Sequence, residues 1–293
     1  MSQQTSVLYD HLGPKGRRNV RIGTWIGAGL VLVLIGAALI QLDQTGQLES
    51  ERWAILFDPS TGVPQGLFRA LLTTLRAALV AMALSMVLGA LLAAGRLSDH
   101  GWVRTPVGAV VEFFRGVPLL LLILFAYLAL PRLGINLNLF WTLVAGLTAY
   151  NMAVLGEIFR AGILSVDRGQ WEAGFALGLR KSQVMRIVLV PQAVRRMLPA
   201  IVSQLVTLLK DTSLGFIIGY FELLRQGRSY VDYFGSRYGL QIYVAVAVFY
   251  IAVNLALSMF ARWLDRRTSR SPKVVAVQPL PDEVEPVLPL GRE

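Results

Sequence analysis

Apolar residues in this chain are gathered into long uninterrupted runs separated by short polar stretches. Ile22 to Leu42, Ala77 to Gly95, Leu133 to Gly156 and Tyr238 to Ala261 carry no charged residue. Val107 to Leu130 carries only Glu112 and Arg115, near its start, and Met197 to Phe221 only Lys210 and Asp211. At a helical rise of 1.5 Å, about 20 residues cover a hydrocarbon core roughly 30 Å thick. Backbone groups in lipid must be satisfied within the segment, which selects helices. None of the runs alternates as a barrel strand would. The pattern therefore predicts an all-α membrane protein of about six transmembrane helices.

The run over 22–42 exceeds the 7–15-residue apolar core of a signal peptide and reads as a retained helix. Residues 1–21 read as a polar N-terminal tail ending in Lys15, Arg17, Arg18 and Arg21, and 43–65, with Pro59, Gly62 and Pro64, as a loop or interfacial segment. The segment 271–293 holds Pro272, Pro279, Pro281, Pro286 and Pro289 among mixed charges, a composition of disorder. With the N-terminus cytoplasmic, the outer loops keep only Arg52, Arg132, Arg225, Arg228 and Arg237, while the other loops and both tails hold most of the Lys and Arg. That bias predicts both termini in the cytoplasm. Arg69 and Arg76, seven residues apart at the outer end of the second span, read as snorkelling. Pro118 and Pro131 bracket the third span and can kink or end it.

Composition narrows the function. Charged residues are 16% of 293, against roughly 25% in soluble domains. The net charge of +10 could suit nucleic acid, but the basic residues lie between apolar runs and suit anionic lipid headgroups instead. There is no Cys, and neither His11 nor His100 falls within a span. Disulfides and thiolate metal sites are excluded, no metal site is expected, and a Ser–His or metal-dependent intramembrane hydrolase is disfavoured. No Gly-x-x-x-x-Gly-Lys-[Ser/Thr] occurs, so the chain is not expected to bind ATP through a P-loop.

Two places carry candidate chemistry. Between Glu157 and Arg196, Asp167 can cap a helix, Glu172 lies early in it, and Gly178 stands where about three turns would stop. Trp171, Phe175 and Leu179 recur every four residues as an apolar stripe, which can lie on a membrane or enter a partner's groove. The pattern alone does not choose. The second place is Lys210-Asp211, 14 residues after Arg196 and 12 before Glu222, about 21 Å and 18 Å along a helix. Charges at mid-membrane are costly and mark either a transport path or a buried ion pair. Neighbours on a helix diverge by about 100°, so the two are not expected to pair with each other. Glu112 with Arg115, and Glu157 with Arg160, have i,i+3 spacing and read as structural ion pairs.

The loop resembles a known family. Glu172-Ala173-Gly174, then Gly178, Val188 and Val190-Pro191 are similar to the EAA loop of binding-protein-dependent ABC importer permeases. That motif has Glu-Ala-Ala, Gly, Ile and Leu-Pro at these intervals; Gly174, Val188 and Val190 depart from it. Thr74-Leu75, Phe113 to Leu120, Glu157 to Ile163, Pro191 to Arg195 and Lys210 to Leu214 resemble the polar amino-acid branch, over about 64–265, and the added first helix and tail are similar to actinobacterial glutamate-type permeases. The resemblance implies a five-helix type I importer core and a coupling helix over 167–179 that includes Trp171 and Phe175. It further implies separate ATPase subunits carrying ATP and Mg, a second copy or homologous permease, and an extracytoplasmic amino-acid-binding protein. Lys210, Asp211, Thr212, Ser213 and Thr74 are the expected substrate-pathway or gating residues, complementing an ammonium and a carboxylate. An ion or solute channel is the alternative, although it gives no reason for the 167–179 helix.

Overall fold

The computed structural model describes residues 13–268, and every regular element among them is helical. The predicted tail over 271–293, the residues before 13 and His11 lie outside the described residues. Helix α1, Pro14–Gln44, opens on a proline, where a missing N–H costs nothing. Its first turns take up Lys15 to Arg21, so the polar segment before Ile22 is partly helical rather than a separate tail. No residue of α1 is buried. The short α2, Ser50–Ala54, follows; Trp53 Nε1 and Gln241 Nε2 both donate to the Gln47 carbonyl, at 3.0 and 2.7 Å. These bonds join the α1–α2 turn to the last long helix.

Helix α3, Val63–Arg96, is 34 residues, about 51 Å long. It begins well before the uncharged run at Ala77, so that Gln65, Arg69 and Arg76 are all helical, and the Arg76 guanidinium lies 4.9 Å from the centre of the Phe140 ring. The third predicted span is two helices, α4, Gly101–Gly116, and α5, Leu119–Leu128, bent by 96° to each other. Val117 is extended at φ −84°, ψ 128°, as a residue preceding proline prefers, and Pro118 supplies no N–H to continue the ladder. A turn over Pro131–Leu133 leads to α6, Leu139–Leu164, where Asn138 Oδ1 accepts from Trp141 N at 3.0 Å. That cap delays the fourth span from the expected Leu133 to Leu139.

Helix α7, Arg168–Ala176, and the single turn α8, Lys181–Gln183, run into π-helical turns over Val184–Leu189 and then α9, Val190–Asp211. Tight turns over Thr212–Ile218 precede α10, Leu223–Phe234, and α11, Gly239–Thr268. Among the described residues five helices are long and apolar enough to cross a membrane, or six when the bent α4–α5 pair counts as one span. The six predicted spans are therefore present, with the third one broken.

The core forms where α3, α5, α6 and α9 meet, around Ala77, Ala81, Ile123, Leu143, Leu147, Leu155 and Leu208. The tightest crossing, α3 on α6, is built from small residues: a Cβ on Gly89 would lie 3.0 Å from the Met152 carbonyl oxygen and 3.1 Å from Gly156 N. Small residues let helix backbones approach where hydrophobic driving force between helices is weak. A second cluster, Val63, Leu67, Leu71, Leu223 and Val246, joins α3, α10 and α11 at one end. At the other end, Ile163, Val166, Val184, Leu189, Ala193 and Met197 hold the α7–α9 connection onto α6.

Candidate functional site

The 167–179 segment is a closed structural unit. Asp167 Oδ1 accepts from Gly169 N at 2.7 Å and caps α7. At the other end Gly178 takes φ +75°, with Gly178 N donating to Phe175 O at 2.9 Å and Leu179 N to Gly174 O at 3.2 Å. This is a Schellman stop, and only glycine takes that backbone shape without a Cβ clash. The sequence reading of both ends therefore agrees with the geometry.

One side of α7 is glued to the bundle. Trp171 and Leu179 pack on the Val184–Met197 cluster, Gln192 Nε2 donates to Gln170 Oε1 at 3.1 Å, and Arg196 donates to the Ser165 carbonyl at the end of α6. Lys181 pairs with Asp99 across to the α3–α4 turn, and the ammonium holds that carboxyl below the usual carboxylate range. Gly174 is buried because Val184 occupies the space: a Cβ there would lie 2.8 Å from Val184 Cγ2. The glycine at this position thus follows from a neighbour in the π-helical turns. The opposite side of α7 faces outward. Glu172 makes only a loose 3.8 Å pair with the exposed Arg168, and Phe175 and Leu177 are 48% and 80% exposed. Ala173 is also exposed. The apolar stripe read from the sequence is therefore divided, with Trp171 and Leu179 turned inward and Phe175 outward. Pro191 stands in the first turn of α9, a position that tolerates its missing donor.

Beneath this unit, Glu157 is held by Arg160 at 3.0 Å and by Arg96 of α3 at 3.3 Å. The expected Glu157–Arg160 pair is thus one arm of a three-residue cluster joining α3 to α6. The expected Glu112–Arg115 pair is not formed: among the described residues the ion pairs within 4.0 Å do not include it. Arg115 sits in the last turn of α4, beside the break, and lines a cavity instead.

That cavity, about 400 Å³, lies at the α4–α5 break and is lined by Arg115, Pro118, Tyr150, Gln204 and Asp211. Gln204 Nε2 donates to Asn151 Oδ1 at 2.7 Å, and Asn151 is itself buried and bonded to the Leu147 carbonyl. Lys210 and Ser213 line a different groove, about 690 Å³, between α9 and α11, with Tyr243, Tyr250 and Asn254. Lys210 and Asp211 therefore diverge, as the helical interval implied. The other two expected pathway residues open onto neither cavity. Thr212 is buried, its hydroxyl donating to the Leu209 carbonyl at 2.6 Å. Thr74 is buried, donates to the Ala70 carbonyl at 2.9 Å, and accepts from Leu223 N at 3.0 Å.

Thr74 thereby belongs to a cluster the sequence did not reveal. Glu222, fully buried, accepts from Leu224 N at 2.9 Å, Arg225 N at 2.7 Å and the Tyr250 hydroxyl at 2.7 Å. With Thr74, it satisfies the first three N–H groups of α10, which otherwise would be orphaned in an apolar setting. Glutamate is not among the usual capping residues, so Glu222 carried no local signal. Among the described residues no three His, Asp or Glu side chains group as a metal site.

Residues 85–270 match the profile of the family described as binding-protein-dependent transport system inner membrane component. The glutamate transport system permease protein GluD of Corynebacterium glutamicum is 36% identical over 249 residues, 83% of this chain and 90% of the relative. The glutamine transport system permease protein GlnP of Escherichia coli K12 is 39% identical over 197 residues, 66% of this chain and 89% of the relative. Among solved structures, an amino acid ABC transporter crystallised with histidines superimposes with a TM-score of 0.67 at 29% identity, covering 71% of this chain and 97% of that one. The chain belongs to the binding-protein-dependent transport system inner membrane component family of ABC importers.

Proposed function

We propose that the chain is the membrane-spanning subunit of an ATP-driven importer for a polar amino acid of the glutamate or glutamine type, and that it works without an ATPase site of its own. The observation that carries this reading is α7: a helix of under three turns, capped at both ends and fixed along one side, that presents Glu172, Phe175 and Leu177 to its surroundings. Such a handle suits the groove of a separate ATPase subunit, which holds ATP and Mg. Its pull reaches the bundle through Trp171, Gly174 and the Val184 turn. The Lys and Arg bias supports a cytoplasmic side for α7 and both termini. An extracytoplasmic binding protein delivers the substrate at the opposite end, where the α1–α2 turn and α10 lie. A second copy or a homologous permease completes the pathway.

Asp211 and Arg115 give the 400 Å³ cavity opposite charges at the broken α4–α5 span. An amino acid carries an ammonium and a carboxylate, and Asp211 suits the first and Arg115 the second, with Tyr150 and Gln204 as neutral partners. The non-helical Val117-Pro118 joint is tolerated at membrane depth because it borders a cavity. The test is purification of the tagged chain from its own membranes, followed by reconstitution with whatever nucleotide-hydrolysing subunit it retains. Uptake of labelled glutamate or glutamine that requires both ATP and a binding protein is the expected result. Retention of no such subunit, or uptake indifferent to ATP, overturns the proposal.

A further inference from the structure

A cavity larger than the Asp211 cavity or the Lys210 groove lies elsewhere in the described residues. It is a trough of about 1010 Å³ that opens on the outside of the bundle between α3 and α9, at the α7 end. Its walls are apolar, with Met86, Ala90 and Ala94 on α3 facing Val194, Leu198 and Ile201 on α9. Its mouth is polar and carries Ser98, Asp99, His100, Arg180, Lys181 and Ser182. Met86 on α3 to its capping residue Leu97 is a rise of about 16 Å, and Val190 to Ile201 on α9 is the same. That depth is half of a hydrocarbon core roughly 30 Å thick, so the trough matches one leaflet. Along its walls it offers nothing for a polar ligand to bond.

We propose that this trough binds one anionic glycerophospholipid, an acyl chain lying along the α3–α9 walls and the phosphate at the Arg180–Lys181 mouth. Three features select this occupant: single-leaflet depth, an apolar wall, and polar groups confined to the headgroup level, where Arg180 and Lys181 outnumber the single Asp99 carboxylate. Asp99 engages Lys181, so Arg180, which makes no ion pair within 4.0 Å among the described residues, supplies the unmatched charge. One cation near an anionic lipid surface predicts a preference of about fivefold over a zwitterionic lipid. The mouth residues follow directly on α7 and Leu179, so a lipid seated here braces the loop against the α3–α4 turn.

The experiment uses the full chain, purified with its co-purifying partners and exchanged into mixed micelles of phosphatidylglycerol or phosphatidylcholine with matched acyl chains. Native mass spectrometry reads the lipid retained per chain. The parent is expected to retain phosphatidylglycerol about fivefold over phosphatidylcholine. Arg180→Gln should abolish the preference, and Arg180→Lys should restore it. Ala94→Trp, which fills the trough, should remove both lipids while leaving partner retention intact. Equal retention of the two lipids by the parent, unchanged retention in Ala94→Trp, or a cysteine cross-link showing that another protein chain covers Ala90 and Leu198 overturns the assignment.

Discussion

Gly174→Ala is the sharpest perturbation of the proposed coupling unit, because it restores the residue that the EAA motif carries at this position. The family pattern alone would expect a neutral or improved protein. The structure expects the reverse. The new Cβ would lie 2.8 and 3.1 Å from the two Val184 methyl carbons, and Val184 is fully buried and, being β-branched, stiff about χ1. Overpacking of this kind costs about 1–3 kcal/mol, while replacing glycine within a helix returns about 1 kcal/mol. The net loss is therefore about 0–2 kcal/mol. Val184→Ala alone loses about 1.6 kcal/mol of methyl burial plus a cavity contribution. In the double variant the new methyl occupies part of that space, so the two losses should couple by about 1 kcal/mol or more. The assay is thermal unfolding of the purified full chain in detergent, with ATPase-subunit retention measured in parallel. Each single variant should lower the apparent Tm, and the double variant should lose less than the sum. Strictly additive losses, or a Gly174→Ala protein more stable than its parent, would refute the packing argument.

The remaining predictions address separate parts of the molecule. Replacing Glu172 together with Gly178 should uncouple ATP hydrolysis from uptake while leaving membrane insertion intact; normal uptake in the double variant would sink the coupling role. Gly178→Ala alone should destabilise α7 by about 1 kcal/mol, since φ +75° is unfavourable for any residue with a Cβ. Asp211→Ala should abolish uptake without releasing the ATPase subunit, whereas Lys210→Ala, in a different groove, should impair it less; equal defects would place both on one path. Glu222→Ala strips two backbone donors of α10 and the Tyr250 hydroxyl of their acceptor. It should cost about 2–3 kcal/mol, read as a lowered apparent Tm, with Glu222→Gln recovering part of the loss.

What could be read from the sequence is what local chemistry decides. The membrane spans follow from run length alone, and α7 from Asp167 and Gly178, because a cap and a left-handed stop are properties of a few adjacent residues. The divergence of Lys210 and Asp211 follows from helical geometry and needs no tertiary information. Pro118 was legible as an interruption, but the 96° bend was not, since the direction taken after a break depends on what α5 packs against. The Glu112–Arg115 expectation shows the limit of spacing rules. An i,i+3 interval permits a pair, yet Arg115 lies one residue before the end of α4, where the opening at the break draws it away. Arg96 with Glu157, 61 residues apart, and Thr74 with Leu223, 149 apart, leave no mark on any window of sequence.

The contacts that escaped prediction share a physical cause that bears on how the molecule moves. Arg96 with Glu157, and Thr74 with Glu222 and Tyr250, are polar side chains that join separate helices, half-buried in the first cluster and buried at Thr74 and Glu222 in the second. Each join is costly to break by halves, so the helices it unites should travel as one piece. Glu157 with Arg96 ties α3 to α6 near the α7 end, and Thr74 with Glu222 and Tyr250 ties α3 to α10 and α11 near the other. Helix α3 is common to both clusters. The soft places left are the Val117-Pro118 joint and the π-helical turns at Val184–Leu189, since π-turns and unwound backbone are where helices yield. On the proposed function a pull on α7 would enter through the second of these, and the Asp211 cavity borders the first. The rigid joins and the soft joints then predict a working motion of α4, α5 and the start of α9 against a body built on α3.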